Sequence, residues 1–143
     1  MKVEVCVGLG PWTPRLLALR RVVFIEEQAV PEDEEVDDQD GVAVHFVVED
    51  AGLLPQGTAR MRDKGHGVAK AERVAVRRDR RSAGVGRALM VALEAEARSR
   101  GQSEVLLAAQ DSAIAFYERL GYLAEGPEFL DAGIVHRWMR KPL

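Results

Sequence analysis

Residues 74–93 read Val74-Ala75-Val76-Arg77-Arg78-Asp79-Arg80-Arg81-Ser82-Ala83-Gly84-Val85-Gly86-Arg87-Ala88-Leu89-Met90-Val91-Ala92-Leu93, and this stretch decides the fold. It opens as a β-forming run, passes through a basic loop containing two glycines, and continues with Val85, Leu89, Ala92 and Leu93 at the spacing of an amphipathic helix. That helix ends at Arg98, Arg100 and Gly101, cations at the negative end of the dipole followed by a glycine C-cap. A strand, a glycine loop and a helix start suit an anion site, although the loop taken alone fits any glycine-containing turn. The first N–H groups of a helix lack partners, and glycines let a phosphate come close. The usual nucleotide patterns do not fit: no Lys-Ser or Lys-Thr follows Gly86, and Leu89 stands where a dinucleotide fingerprint has its third glycine.

Upstream, Thr13-Pro14 is a helix start, with Leu16, Leu19 and Val23 at helical spacing, so a helix is expected from about Pro14 to Glu26. The acidic stretch that follows is broken by Pro31 and Gly41 and reads as a loop. Val42 to Val48 is a strand ending at the turn Glu49-Asp50-Ala51-Gly52, and Thr58–Arg62 and Val68–Val76 flank a glycine turn as two more antiparallel strands. Downstream, Val105-Leu106-Leu107-Ala108-Ala109 is a uniformly apolar run, the mark of a strand buried on both faces. Asp111 is placed to N-cap a helix carrying Ile114, Phe116, Tyr117 and Leu120 and ending at Gly121. Residues 122–125 and 134–139 read as a final hairpin. The expected fold is α/β (α+β), a mixed and largely antiparallel sheet with helices packed on it, in one domain over residues 1–143. The strands joined through the helix after the glycine loop should run parallel.

The formal net charge is −3, which speaks against nucleic-acid binding, but the charges are segregated. Glu26 to Asp40 holds nine acidic residues and no basic one, whereas Arg60 to Arg87 holds ten basic residues against three acidic ones. One block suits cations and the other anions. Apolar runs fall short of the roughly 18 residues of a membrane span, and the N-terminus lacks a signal-peptide apolar region. A lone Cys6 allows no internal disulfide and fits a reducing, cytoplasmic location. No metal is expected. A calcium loop ending its first half at Gly41 would need Val36 and Val47 as ligands, and no pair of histidines or cysteines has zinc spacing.

The loop resembles the GCN5-related N-acetyltransferase (GNAT) family, whose pyrophosphate pattern is Arg or Gln, two residues, Gly, one residue, then Gly or Ala; here these are Arg81, Gly84 and Gly86. Arg73-Val74-Ala75-Val76 is similar to the family's central strand, and Ala115-Phe116-Tyr117-Glu118-Arg119-Leu120-Gly121-Tyr122 to its late FYxxxGF signature. Val23-Phe24-Ile25-Glu26-Glu27-Gln28, Glu35-Val36-Asp37-Asp38-Gln39-Asp40, His45 and Gly133-Ile134-Val135-His136 resemble the ElaA-like bacterial subgroup. Ser82 departs from the glycine many members have, and Asp111 from asparagine.

The resemblance implies an acetyl-coenzyme A site. The pantetheine arm would lie along Val74, Ala75 and Val76, and the pyrophosphate on the amides of Ser82, Ala83, Gly84, Val85, Gly86 and Arg87 beside Arg81, with Gln110 and Phe116 as further contacts. Arg77, Arg78 and Arg80 are candidates for the outer phosphate. Transfer to an amine needs a neutral nucleophile, a stabilised carbonyl oxyanion and a proton for the leaving thiolate. Tyr117 matches the family tyrosine near the sulfur and is the candidate acid; an N–H of Val74 or Ala75 is the candidate oxyanion donor. Glu27, Glu72, His45 and His136 are candidate bases, with Glu27 favoured. Gln28, Asp38, His45 and His136 are candidate acceptor contacts. Glu27, Asp37, Asp38 and Asp40 are expected to line or shield an amine pocket, which favours a cationic acceptor, either a small molecule or a peptide. The alternative is a non-catalytic acyl-coenzyme A sensor. Neither a membrane nor a nucleic acid is expected as partner, and a homodimer through terminal strands is one option for assembly.

Overall fold

The computed structural model describes residues 1–8, 13–30, 37–49 and 54–143, excluding the side chains of Thr13 and Asp38. The expected Thr13 cap, the loop residues Pro31, Glu35 and Val36, and the turn at Asp50 to Gly52 therefore lie outside the described residues. Strands β1 (Val3–Val7), β2 (Val44–Val48), β3 (Gly57–Gly65), β4 (Val68–Val76), β5 (Glu104–Gln110), β6 (Leu123–Asp131) and β7 (Ile134–Pro142) form one sheet. Their order is β1-β2-β3-β4-β5-β7-β6. All neighbours are antiparallel except β4 and β5, which run parallel. The helices are α1 (Thr13–Arg20), which continues into π-helical turns over Arg21–Glu27, then α2 (Val85–Ser99) and α3 (Ile114–Arg119). The mixed sheet with its parallel pair is the architecture expected from the α/β pattern. Among the described residues no helix is long and apolar enough to cross a membrane.

Three local readings are corrected. β1 was not anticipated; it pairs with β2 as an edge strand, and its short Val-Glu-Val-Cys-Val alternation is too brief to stand out from a loop. The final hairpin is longer than its apolar residues indicate, because β6 is an edge strand with most residues exposed. Asp111 sits inside a 3₁₀ turn, Asp111–Ala113, whose N-cap is Gln110, and no side-chain cap bond forms there.

The two faces of the sheet differ. On one, Phe46, Met61, Ala71, Leu107 and Met139 pack against Val85, Leu89, Met90 and Leu93 of α2 and Tyr117 of α3. On the other, Leu19 and Val23 of the first helical segment pack on Ala75, and the rest of that face of β3 and β4 is charged: Arg60, Arg62, Lys70 and Glu72. Burying a row of charges requires that they be paired, and they are. Arg20 Nη1 lies 2.6 Å from Asp40. Arg60 reaches Asp37 at 2.6 Å, Asp40 at 3.1 Å and Glu72 at 3.0 Å. Arg62 and Lys70 also hold Glu72.

Candidate active site

β4 and β5 are paired only from Val68–Ala71 to Glu104–Leu107. Beyond that point β4 carries a bulge. Two residues, Arg73 and Val74, lie between those opposite Thr58 and Arg60, and Arg73 has φ +51°. A bulge bends its strand and increases its twist, and here the bend coincides with the end of the β4–β5 ladder. The strands part, opening a cleft of about 710 Å³. Val74, Ala75 and Val76 form one wall, Ala108, Ala109 and Gln110 the other, and Val23, Phe24 and Gln28 close it from the first helical segment. Small side chains on both walls keep the gap from filling.

At one end of the cleft the basic loop turns into α2. Ser82 has φ +67° and Gly84 φ +86°, left-handed conformations that turn successive amides toward a common point. The first α-helical bond runs from Ala88 N–H to the Gly84 carbonyl, so the amides of Val85, Gly86 and Arg87 have no intrahelical acceptor. The two glycines serve different ends. A Cβ on Gly84 would meet nothing within 4 Å, so its role is backbone conformation. A Cβ on Gly86 would lie 3.0 Å from Phe116 Cζ, so its role is close packing of α2 on α3. Ser82, where a family glycine is common, holds the left-handed conformation at a strain of order 1 kcal/mol. Arg81 donates through Nε to the Val76 carbonyl at 3.0 Å.

Tyr117 sits deeper in the cleft, almost fully buried, edge-on to Phe116 at 5.0 Å and to Tyr122 at 5.8 Å. The two tyrosines differ in one respect. The Tyr122 hydroxyl donates to Glu94 at 2.8 Å, whereas the Tyr117 hydroxyl has no hydrogen-bond partner among the described residues. Burial pushes the Tyr117 phenol well above its ordinary value, so it stays protonated at neutral pH.

Glu27 does not line the cleft. Its carboxylate holds Arg81 at 2.9 Å and Arg78 at 3.4 Å, so it is engaged at the basic loop rather than placed to meet an acceptor in the cleft. Glu72 does line the cleft, but it is engaged too. Burial alone would raise its carboxyl, yet the Arg62 hydrogen bond and the charges of Arg60 and Lys70 outweigh burial and hold it at about 2. His45 is buried on β2 away from the cleft, with Nε2 donating to the Asp40 carbonyl at 2.9 Å. Burial lowers its pKa, so it is a neutral core histidine. Gln28 and Gln110 are bonded across the cleft at 2.7 Å. His136 lines the same space, with Nδ1 2.7 Å from the Ile134 carbonyl.

The amine pocket expected from the acidic block is not formed by Asp37 or Asp40, because both carboxylates face arginines; the side chain of Asp38 lies outside the described residues. The Arg60 hydrogen bond holds Asp37 below the usual carboxylate range. For Asp40, burial acts upward, but the hydrogen bond and charge of Arg20, aided by Arg60, outweigh it. Sequence reasoning also missed Arg20, Arg60 and Arg73. Arg20 reads as one more cation at a helix end, and nothing local distinguishes it.

A parting parallel strand pair, a helix start with free amides and a buried tyrosine whose hydroxyl has no partner among the described residues suit an acyltransferase site. Residues 21–143 match the family described as acetyltransferase (GNAT) domain. The chain is 45% identical over 124 residues to YjcF of Bacillus subtilis strain 168, described as an uncharacterized N-acetyltransferase, covering 86% of this chain and 87% of that one. An acyl-CoA N-acyltransferase from Pseudomonas aeruginosa is 30% identical with TM-score 0.84, and the match covers 98% of both chains. Escherichia coli ElaA shares the fold, with TM-score 0.85 at 24% identity over 99% of both chains. The chain belongs to the GNAT acetyltransferase family, and it is an acyltransferase.

Proposed function

We propose that the enzyme transfers an acetyl group from acetyl-coenzyme A to a primary amine of a small molecule or peptide, directly and without a covalent enzyme intermediate. One observation carries this reading: a single cleft lined by the start of α2, the parted ends of β4 and β5, and Tyr117. The residues suit the coenzyme. Its phosphates match the amides at the start of α2, beside Ser82, Gly84, Gly86 and Arg87, and the guanidinium groups of Arg80, Arg81 and Arg87, which line the same cleft; the Ala83 amide is already given to the Arg80 carbonyl at 3.3 Å. The amide-bearing pantetheine arm matches the edge of Val74–Val76 that β5 leaves uncovered. Acetyl-coenzyme A supplies the activated acyl group; the protein orients it and manages charge and protons. An N–H of Val74 or Ala75 meets the carbonyl oxygen as negative charge develops there, and Tyr117 supplies the proton for the sulfur. The lone Cys6, partly buried on β1, is no nucleophile for this chemistry and suits a cytoplasmic enzyme.

The test pairs binding with turnover. Acetyl-coenzyme A should raise the melting temperature, and Gly84→Glu should abolish the rise by adding a carboxylate and a strained backbone at the phosphate cradle. Thiol release should then appear with one or more members of an amine panel. Equal stabilisation of both proteins would overturn the coenzyme site, and binding without thiol release from any amine would overturn the acceptor class.

A further inference from the structure

We infer that His136 is the general base that takes the proton from the acceptor nitrogen, through Nε2. The inference rests on the acetyl transfer proposed above. The Ile134 carbonyl can only accept, so the 2.7 Å contact puts the proton of the neutral ring on Nδ1. Nε2 is left with its lone pair. That nitrogen has no hydrogen-bond partner among the described residues, and it is not one of the buried atoms sealed from solvent. The ring is held by stacking on Phe129 at 5.8 Å and lines the cleft. His45 is the mirror case: its Nε2 is the donor, and its Nδ1 lone pair is sealed in the core.

The sheet places His136 well. It lies opposite Gln110 in the β5–β7 register and shares that face, whereas Tyr117 packs in the core on the other face. Acid and base therefore stand on opposite sides of the gap between β4 and β5. The charged side chains around the same cleft are Asp131 on β6, Arg119 on α3, Lys70, Glu72 and Arg73 on β4, and Arg80, Arg81 and Arg87 of the basic loop and the first turn of α2. Glu72 is neutralised by its cations, and Glu27 is held by Arg81.

The step balances. The lone pair of the neutral amine forms the C–N bond to the thioester carbonyl carbon, and the nitrogen gives one proton to His136 Nε2. The C–S bond breaks with its electron pair on sulfur, which takes the Tyr117 proton. Water carries the His136 proton back to the Tyr117 oxygen.

His136→Asn keeps an N–H donor for the Ile134 carbonyl and removes the basic nitrogen. With putrescine, benzylamine and glycinamide as acceptor probes, kcat/KM at neutral pH should fall about 100- to 10,000-fold. The loss of rate that acid causes in the parent enzyme should vanish from the variant's pH profile, and imidazole should restore part of the rate to His136→Gly. The melting-temperature rise with acetyl-coenzyme A should persist in both variants, which separates this inference from failure of the coenzyme site. An unchanged rate or an unchanged acid limb overturns it. Nitrogen-15 spectra of the histidines decide independently of any acceptor: a ring protonated on Nδ1 alone supports the assignment, and a neutral ring protonated on Nε2 overturns it.

Discussion

Glu72 and Tyr117 line the same cleft, yet they belong to two regions built on opposite principles. Around Glu72 every charge is answered: Arg60, Arg62 and Lys70 converge on one carboxylate, and the neighbouring Asp37 and Asp40 are held by Arg60 and Arg20. At Tyr117 and His136 a polar atom has no partner among the described residues, although both side chains are largely buried. A buried polar group without a partner costs stability, and one facing a cleft invites a ligand to complete it. Paired charges therefore hold the scaffold of this enzyme, whereas Tyr117 and His136 line the cleft, unlike His45, whose Nδ1 is sealed in the core.

Arg60→Ala should have the largest effect on stability. Removing a guanidinium that is 1% exposed leaves three carboxylates under-compensated and should cost about 3–5 kcal/mol, read as a lower denaturant midpoint. A loss under 1 kcal/mol would mean that the cluster is merely solvated. Next in size is Tyr117→Phe, which should lower turnover about 10- to 1000-fold while coenzyme affinity stays within a few-fold. Stability at neutral pH should barely change, because no hydrogen bond is lost; unchanged turnover with chemistry limiting would reduce Tyr117 to packing.

Titration separates the regions by sign. Glu72 is lowered from 4.5 to about 2, so its contribution is complete above its ordinary value and is lost as pH falls from there toward 2. Asp37 and Asp40 act in the same direction. Tyr117 is raised by burial, so its contribution holds below its ordinary value and is lost as pH climbs beyond about 10. Glu72→Gln should flatten the acid limb of a stability profile, and Tyr117→Phe should soften the alkaline one. The smallest effect belongs to Arg78→Ala. Its side chain is 77% exposed and its contact with Glu27 is 3.4 Å, so thermal unfolding should register no more than about 0.5 kcal/mol.

The acidic and basic blocks show how far sequence reading reached. Each was expected to serve one ligand, yet they largely meet each other: Glu27 with Arg81 and Arg78, Asp37 with Arg60 and Arg73, Asp40 with Arg60. The partners are 20 or more residues apart, and no local pattern encodes such a pairing. Replacing Asp37, Asp38 and Asp40 together with asparagine should therefore lower stability before it changes the Michaelis constant of a cationic amine. The glycine loop was legible because its information is local. Gly84 needs a left-handed backbone, and Arg81 to Gly86 span a single turn.

Local sequence was enough for every strand but β1, for the helices, for the parallel pair, for the glycine loop at the start of α2 and for the family to which those motifs belong. Hydrophobic period, turn chemistry and helix capping all act within a few residues. What the tertiary structure decided was which polar groups are satisfied. The bulge at Arg73 parts two strands, Arg20 at the end of α1 pairs with Asp40, and the Ile134 carbonyl at the start of β7 sets the tautomer of His136, while the Tyr117 hydroxyl has no partner among the described residues. Whether a buried atom has a partner depends on chain segments that meet only on folding, and that is why the chemistry of this site could be read only from the folded chain.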